Sequence, residues 1–97
     1  MILASAIKFR NTETNKEFVL CGARHGDIFK QLEDIGFAPK QGYEELDQGF
    51  IDHHNNFLTR SEAFKHAKMC GQLADKIIYE REHGGIGGKN LISEDLW

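Results

Sequence analysis

Nine consecutive residues, Asp52 to Arg60 (DHHNNFLTR), hold an acid, two adjacent histidines, two asparagines and an arginine. Such a set suits metal binding, acid–base chemistry or capture of an anion. Metal binding has little pattern behind it. Neighbouring histidines in extended chain point to opposite sides, so His53 and His54 do not readily share one ion. The only upstream His-x-Asp is His25-Gly26-Asp27, and no pair of these histidines has the helical H-x-x-x-H spacing of a zinc site. The reading is no metal and no cofactor. A metal-dependent phosphoesterase built on His25, Asp27, His53 and His54 stays as an alternative.

Nucleophilic catalysis has less support. There is no G-x-S-x-G, and the carboxylate pairs Glu44-Glu45 and Glu94-Asp95 fall in polar stretches that read as solvated surface. The glycine-rich HGGIGGKN fails as a phosphate-binding P-loop. It has His83 where the first glycine belongs and Asn90 where Ser or Thr follows the lysine. It fails as a dinucleotide fingerprint too, because Asn90 stands where the third glycine is needed. Residues 82–90 read as a flexible loop. The chain therefore reads as a binding protein, with no catalytic residue assigned.

What remains is recognition. Arg24 and His25 precede one predicted helix, and Asn55, Asn56 and Arg60 precede another. Helix starts present free N–H groups and a positive dipole end to phosphate or carboxylate, and arginine adds a bidentate fork. Phe50 and Phe57 flank the second turn and offer a π face for a base, with core packing as the competing role. The candidate ligand-binding set is Arg24, His25, Phe50, Asn55, Asn56 and Arg60, and the partner is a small anionic, nucleotide-like ligand.

The elements that must position these residues follow from pattern. Residues 2–9 and Phe18 to Gly22 read as an antiparallel hairpin about the polar turn 10–17. Ile28, Phe29, Leu32 and Ile35 fall at helical spacing, which predicts a helix over 26–35, closed by Gly36. Pro39 breaks the chain, and residues 40–49 read as a polar connector. A second hairpin brackets HHN. Thr59 and Glu62 form a capping box for a helix from Arg60 to about Leu73, with continuation through 74–82 an open option. The tail, 91–97, is too short to be an element, and Ile92, Leu96 and Trp97 are expected to dock on a sheet or a partner. The order is β-β-α-β-β-α, a small single α+β domain over 1–97 with short antiparallel hairpins and two amphipathic helices.

Bulk properties narrow the function classes. At 97 residues the chain makes one domain, and homo-oligomerisation would add stability. The net charge of −3 disfavours general nucleic-acid binding, which needs broad phosphate neutralisation. No apolar run is long enough to span a bilayer, and the start lacks a secretory pattern. Cys21 and Cys70 form no CxxC and read as two buried thiols in a reducing cytoplasm.

RHGDI (Arg24–Ile28), Gly49-Phe50, NFLTRSEAFKHAKMCGQL (Asn56–Leu73) and LISEDLW (Leu91–Trp97) occur in an order that resembles the first family of phage Thoeris anti-defence proteins. The resemblance runs from Arg24 to the end. It implies a phage sponge in the host cytoplasm that sequesters cyclic ADP-ribose isomers, and in some members cyclic oligonucleotides, without cleaving them. It implies a homodimer or larger homo-oligomer with ligand at a protomer interface. On matching positions, Arg24 would contact phosphate, Phe50 would stack on adenine, and Asn56 and Arg60 would make polar contacts. The HHNN turn departs from the family pattern. A phage inhibitor that binds a host protein through its tail is the remaining alternative.

Overall fold

The structure, a computed structural model, describes residues 1–38 and 40–96. The break assigned to Pro39 and the docking assigned to Trp97 lie outside the described residues. Strands β1 (Ile2–Asn11) and β2 (Glu17–Gly22) form the expected hairpin. Its turn is set by Asn11, whose Oδ1 accepts from the N–H groups of Glu13 and Thr14 at 2.9 and 3.2 Å. Helix α1 (His25–Asp34) follows, one residue earlier at each end than the periodicity predicts. The N–H of Gly36 bonds the Glu33 carbonyl and that of Phe37 bonds the Leu32 carbonyl. This paired closure needs a left-handed residue, and Gly36 supplies it at φ 107°.

The expected connector is half of a strand. β3 runs Tyr43–Asp52 and pairs antiparallel with β1 along its length. Its partner on the other side, β4 (Phe57–Thr59), reaches only Gly49 to Ile51. Residues 43–48 therefore form a sheet edge, where charged side chains such as Glu44, Glu45 and Asp47 are tolerated and deter pairing with other chains. Arg10 of β1 pairs with Glu44 there. The halves of the chain thus share one four-stranded sheet, in the order β2-β1-β3-β4.

Helix α2 (Arg60–Met69) begins at the predicted box. Thr59 Oγ1 accepts from the Glu62 N–H at 3.3 Å, and Glu62 Oε1 accepts from the Thr59 N–H at 3.0 Å. The same backbone donor, helped by the Thr59 hydroxyl, holds the Glu62 carboxyl below the usual carboxylate range. Thr59→Ala is expected to cost about 1 kcal/mol in urea unfolding, with Thr59→Ser recovering most of it.

α2 does not reach Leu73. It stops at Met69, and Gly71 (φ 72°) makes the same closure as Gly36, with the Gln72 N–H on the Ala67 carbonyl. The Gln72 amide then clamps β1, accepting from the Ile2 N–H at 2.5 Å and donating to the Ile2 carbonyl at 2.9 Å. A separate helix α3 (Asp75–Glu82) follows, so the described residues form three α-helices where two were expected. Ser93–Asp95 forms a 3-10 turn.

The class is α+β, and α1 and α2 each build a hydrophobic cluster with the sheet. Ile7 and Phe9 of β1 pack with Ile28 and Leu32 of α1. Ile2 and Phe50 pack with Ala63, Phe64 and Ala67 of α2, and with Leu73 and Leu91. The tail therefore packs on its own chain. Leu91 is fully buried, its N–H bonds the Arg60 carbonyl at 2.9 Å, and Leu96 rests against the same cluster.

Candidate functional site

The start of α1, the first residue of α2 and the 3-10 turn enclose a cleft of about 420 Å³, lined by Arg24, His25, Gly26, Asp27, Arg60, Ile92, Ser93 and Glu94. Three of the six candidate ligand residues, Arg24, His25 and Arg60, meet here. Arg24 and Arg60 lie far apart in sequence and are brought together because β3 and β4 carry Arg60 back alongside the start of α1.

Each side chain is positioned differently. Arg60 Nη2 donates to Gln48 Oε1 at 2.6 Å, so a β3 side chain orients the guanidinium. Arg24 Nη1 meets Glu94 Oε1 at 3.1 Å in an exposed pair. His25 is the most constrained. Its Nε2 lies 2.8 Å from the Gly49 carbonyl oxygen. A carbonyl only accepts, so that nitrogen carries the proton and, in the neutral ring, Nδ1 is the acceptor. Nδ1 faces the buried Ser93 hydroxyl at 3.5 Å, a long contact. The ring also packs edge-on against Phe50, with centroids 5.2 Å apart at 82°. Burial holds the His25 imidazole below its ordinary pKa. The Gly49 hydrogen bond opposes this, and the Arg60 charge lowers it further. The ring is therefore neutral at pH 7, as a donor–acceptor rather than a cation.

The two helix starts differ in how they are capped. The α2 start is closed by Thr59 and Glu62, and that carboxylate adds negative charge. The α1 start has Arg24 at its N-cap and no side-chain cap, and it also carries an acid, Asp27, in its first turn. The start without a side-chain cap is α1, and Arg60 lines the cleft from the first residue of α2.

Phe50 is placed otherwise than the stacking role requires. It is 0% exposed within the core, and the His25 ring lies against it. Both of its faces are beyond reach of a ligand. Asn55 and Asn56 lie in the β3–β4 turn, five and four residues before Arg60, and neither lines the cleft. They build the turn instead. Asn55 takes the left-handed φ of 62°. The Asp52 carboxylate accepts from the His54 and Asn56 N–H groups, both at 2.9 Å, and from Asn56 Nδ2 at 3.3 Å. Those donors, that of Asn56 foremost, hold the Asp52 carboxyl below the usual range. His53 and His54 share this turn, away from His25 and Asp27 in the cleft.

Ser93, Glu94 and Gln48 were not anticipated at the site. Ser93 and Glu94 reach it because the tail folds back, which no local pattern signals. Among the described residues, no helix is long and apolar enough to cross a membrane.

The model of the family described as Phage T4 y16D protein matches residues 1–97. No curated protein and no solved structure matches the chain.

Proposed function

We propose, for a chain that belongs to the phage T4 y16D protein family, that the cleft captures a small phosphate-bearing, nucleotide-like anion and holds it without cleaving it. One observation carries this reading: two arginines distant in sequence converge with the uncapped α1 start on one cleft. The helix start draws anions through its free N–H groups and dipole. The arginines supply charge-assisted hydrogen bonds, each contributing about 1.5–3 kcal/mol. A ligand that reaches Arg24 has to compete with Glu94. Exposed pairs of this kind contribute about 0–1 kcal/mol. The volume is near the lower end of ligand pockets, about 300–1,000 Å³, so one protomer accommodates a nucleotide-sized portion and a second protomer would enclose the rest.

The resemblance to the Thoeris anti-defence family names the ligands to try first, cyclic ADP-ribose isomers and then cyclic oligonucleotides, with the homodimer as the binding species. Calorimetry with each, followed by chromatography of the heat-released ligand, tests the proposal. Binding with recovery of unaltered ligand is expected, and Arg60→Ala should weaken it by about 10- to 100-fold. Equal affinity in Arg60→Ala, or no binding by any phosphate-bearing nucleotide, overturns the site. An altered ligand overturns sequestration and makes the chain an enzyme.

A further inference from the structure

The sheet has two edges, and they are built differently. The edge formed by β3 and the three-residue β4 carries Glu44, Glu45 and Asp47. The other edge is β2, EFVLCG, whose one charge is Glu17 at its first position. It pairs with β1 in unbroken register, without a bulge. Charges, proline and bulges are the devices that keep an edge from pairing with another chain, and β2 has only the one acid. Its outward groups can be assigned. The Asn11 N–H bonds the Lys16 carbonyl at 2.8 Å, and an antiparallel ladder alternates by two. Phe18, Leu20 and Gly22 therefore face β1, and Glu17, Val19 and Cys21 face away. The Cys21 carbonyl fits this assignment, because Gln31 Nε2 of α1 donates to it at 2.7 Å from outside the ladder. Gln31 thereby closes the Cys21 end of the edge. The N–H and C=O groups of Glu17 and Val19 are left without a partner among the described residues, and the Val19 side chain is exposed.

We propose that β2 is the surface on which a second copy of this chain docks, the two strands pairing antiparallel through Glu17 to Val19 about a two-fold axis at Phe18. The strand is its own complement in that register. Glu17 of each copy stands opposite the partner's Val19, and the outward N–H and C=O groups of these residues exchange backbone hydrogen bonds, which uses the whole unpartnered set. No like charges oppose each other. The two Phe18 residues meet at a non-hydrogen-bonded position, where side chains come closest. They do so on the face where Phe18 already stacks on Phe37, with centroids 6.0 Å apart at 11°. Gln31 decides between a copy and a longer strand. A strand from another protein that followed β2 to its end would need the Cys21 carbonyl that Gln31 holds. A second copy does not, because its own unpartnered stretch ends at the same residues. For the same reason a pairing centred on Val19, which sets Glu17 against Cys21, is disfavoured. A chain of 97 residues buries a limited share of its surface and gains from such a contact. The contact lies on the sheet edge and does not depend on what the cleft binds.

Sedimentation equilibrium of the full chain tests the pairing. The contact is small, at the weak end of specific interfaces, so the parent is expected to be dimeric at about 100 μM and above and to dissociate on dilution. Val19→Pro removes an N–H that faces away from β1, so it takes no bond from the sheet. It should be a monomer at those concentrations, with the parent's circular dichroism spectrum. Charge reads the register. Val19→Glu faces the partner's Glu17 on both sides of the axis and should weaken association by about tenfold, whereas Val19→Lys should keep or tighten it. In the parent, hydrogen exchange at the Glu17 and Val19 amides should slow as protein concentration rises, a readout that needs no variant. A parent monomeric at about 1 mM, a folded Val19→Pro that still dimerises, equal effects of Val19→Glu and Val19→Lys, or exchange at the two amides that ignores concentration overturns the proposal.

Discussion

Arg81→Ala is expected to lower the stability of the protein by about 3–5 kcal/mol, a large share of the roughly 5–15 kcal/mol that holds a domain together. Arg81 on α3 is only 5% exposed. Its Nε lies 3.1 Å from both carboxylate oxygens of Asp95 and its Nη2 lies 2.5 Å from one of them. The Asp95 side chain is 1% exposed. Hydrogen bonding to Asp95 raises the Arg81 pKa despite burial, so the guanidinium stays charged. Removing the guanidinium leaves a buried carboxylate with no counter-charge, and that desolvation cost makes the effect large. For a domain of this size the melting temperature should fall by more than about 12 °C. Replacing both partners with apolar residues of similar shape is expected to be far milder than either single change. A loss below about 1 kcal/mol in Arg81→Ala would mean that Asp95 reaches water easily once its partner is gone.

The same pair links stability to the cleft. Asp95 closes the 3-10 turn, with Oδ2 3.4 Å from the Ile92 N–H. Ser93 and Glu94 of that turn line the cleft. Arg81→Ala should therefore weaken ligand capture as well, although Arg81 lies outside the lining. A destabilised variant that bound as tightly as the parent would show that the turn contributes nothing to the site.

The sequence was most readable where structure is local. The capping box at Thr59 and Glu62, the α1 stripe at Ile28, Phe29 and Leu32 and the glycine that ends the helix each depend on a few neighbouring residues, and all are present, whereas Ile35, assigned to the same stripe, is the C-cap and exposed. It was least readable where the partner is distant. The first half of β3 has too many charges to look like a strand. Those charges fit because β4 is too short to cover that edge. The break between α2 and α3 had a local sign, Gly71 before Gln72. The clamp on Ile2 that goes with it is a contact across 70 residues. The site divides the same way. Arg24, His25 and Arg60 were legible as residues beside helix starts, whereas Ser93 and Glu94 join them only when the tail packs. Cys70, expected to be buried, is exposed, because burial there is decided by packing between elements and not by its neighbours in sequence.

Phe50 shows a limit of strand patterns, and its replacement is the second large effect. Alternation assigns a side chain to a face of the sheet, but it does not say whether that face meets ligand or core. Phe50→Ala is expected to cost about 3–5 kcal/mol. Its ring is fully buried in the cluster with Ile2, Ala63, Phe64 and Leu91, and truncation leaves a cavity that the surroundings relax into only in part. The His25 ring rests edge-on against it, so the loss would also loosen the imidazole that donates to Gly49. Phe50→Leu separates core from ligand. It keeps an apolar side chain under His25, so it should destabilise less than Phe50→Ala and leave affinity within about twofold when measured on folded protein. A base stacked on Phe50 would instead be worth about 1–3 kcal/mol, and its loss would weaken binding by tenfold or more. A tenfold loss in a Phe50→Leu protein of near-parent stability would mean that the ring swings out to meet ligand. Unchanged affinity with a clear stability loss would mean that recognition rests on the arginines and the uncapped start of α1.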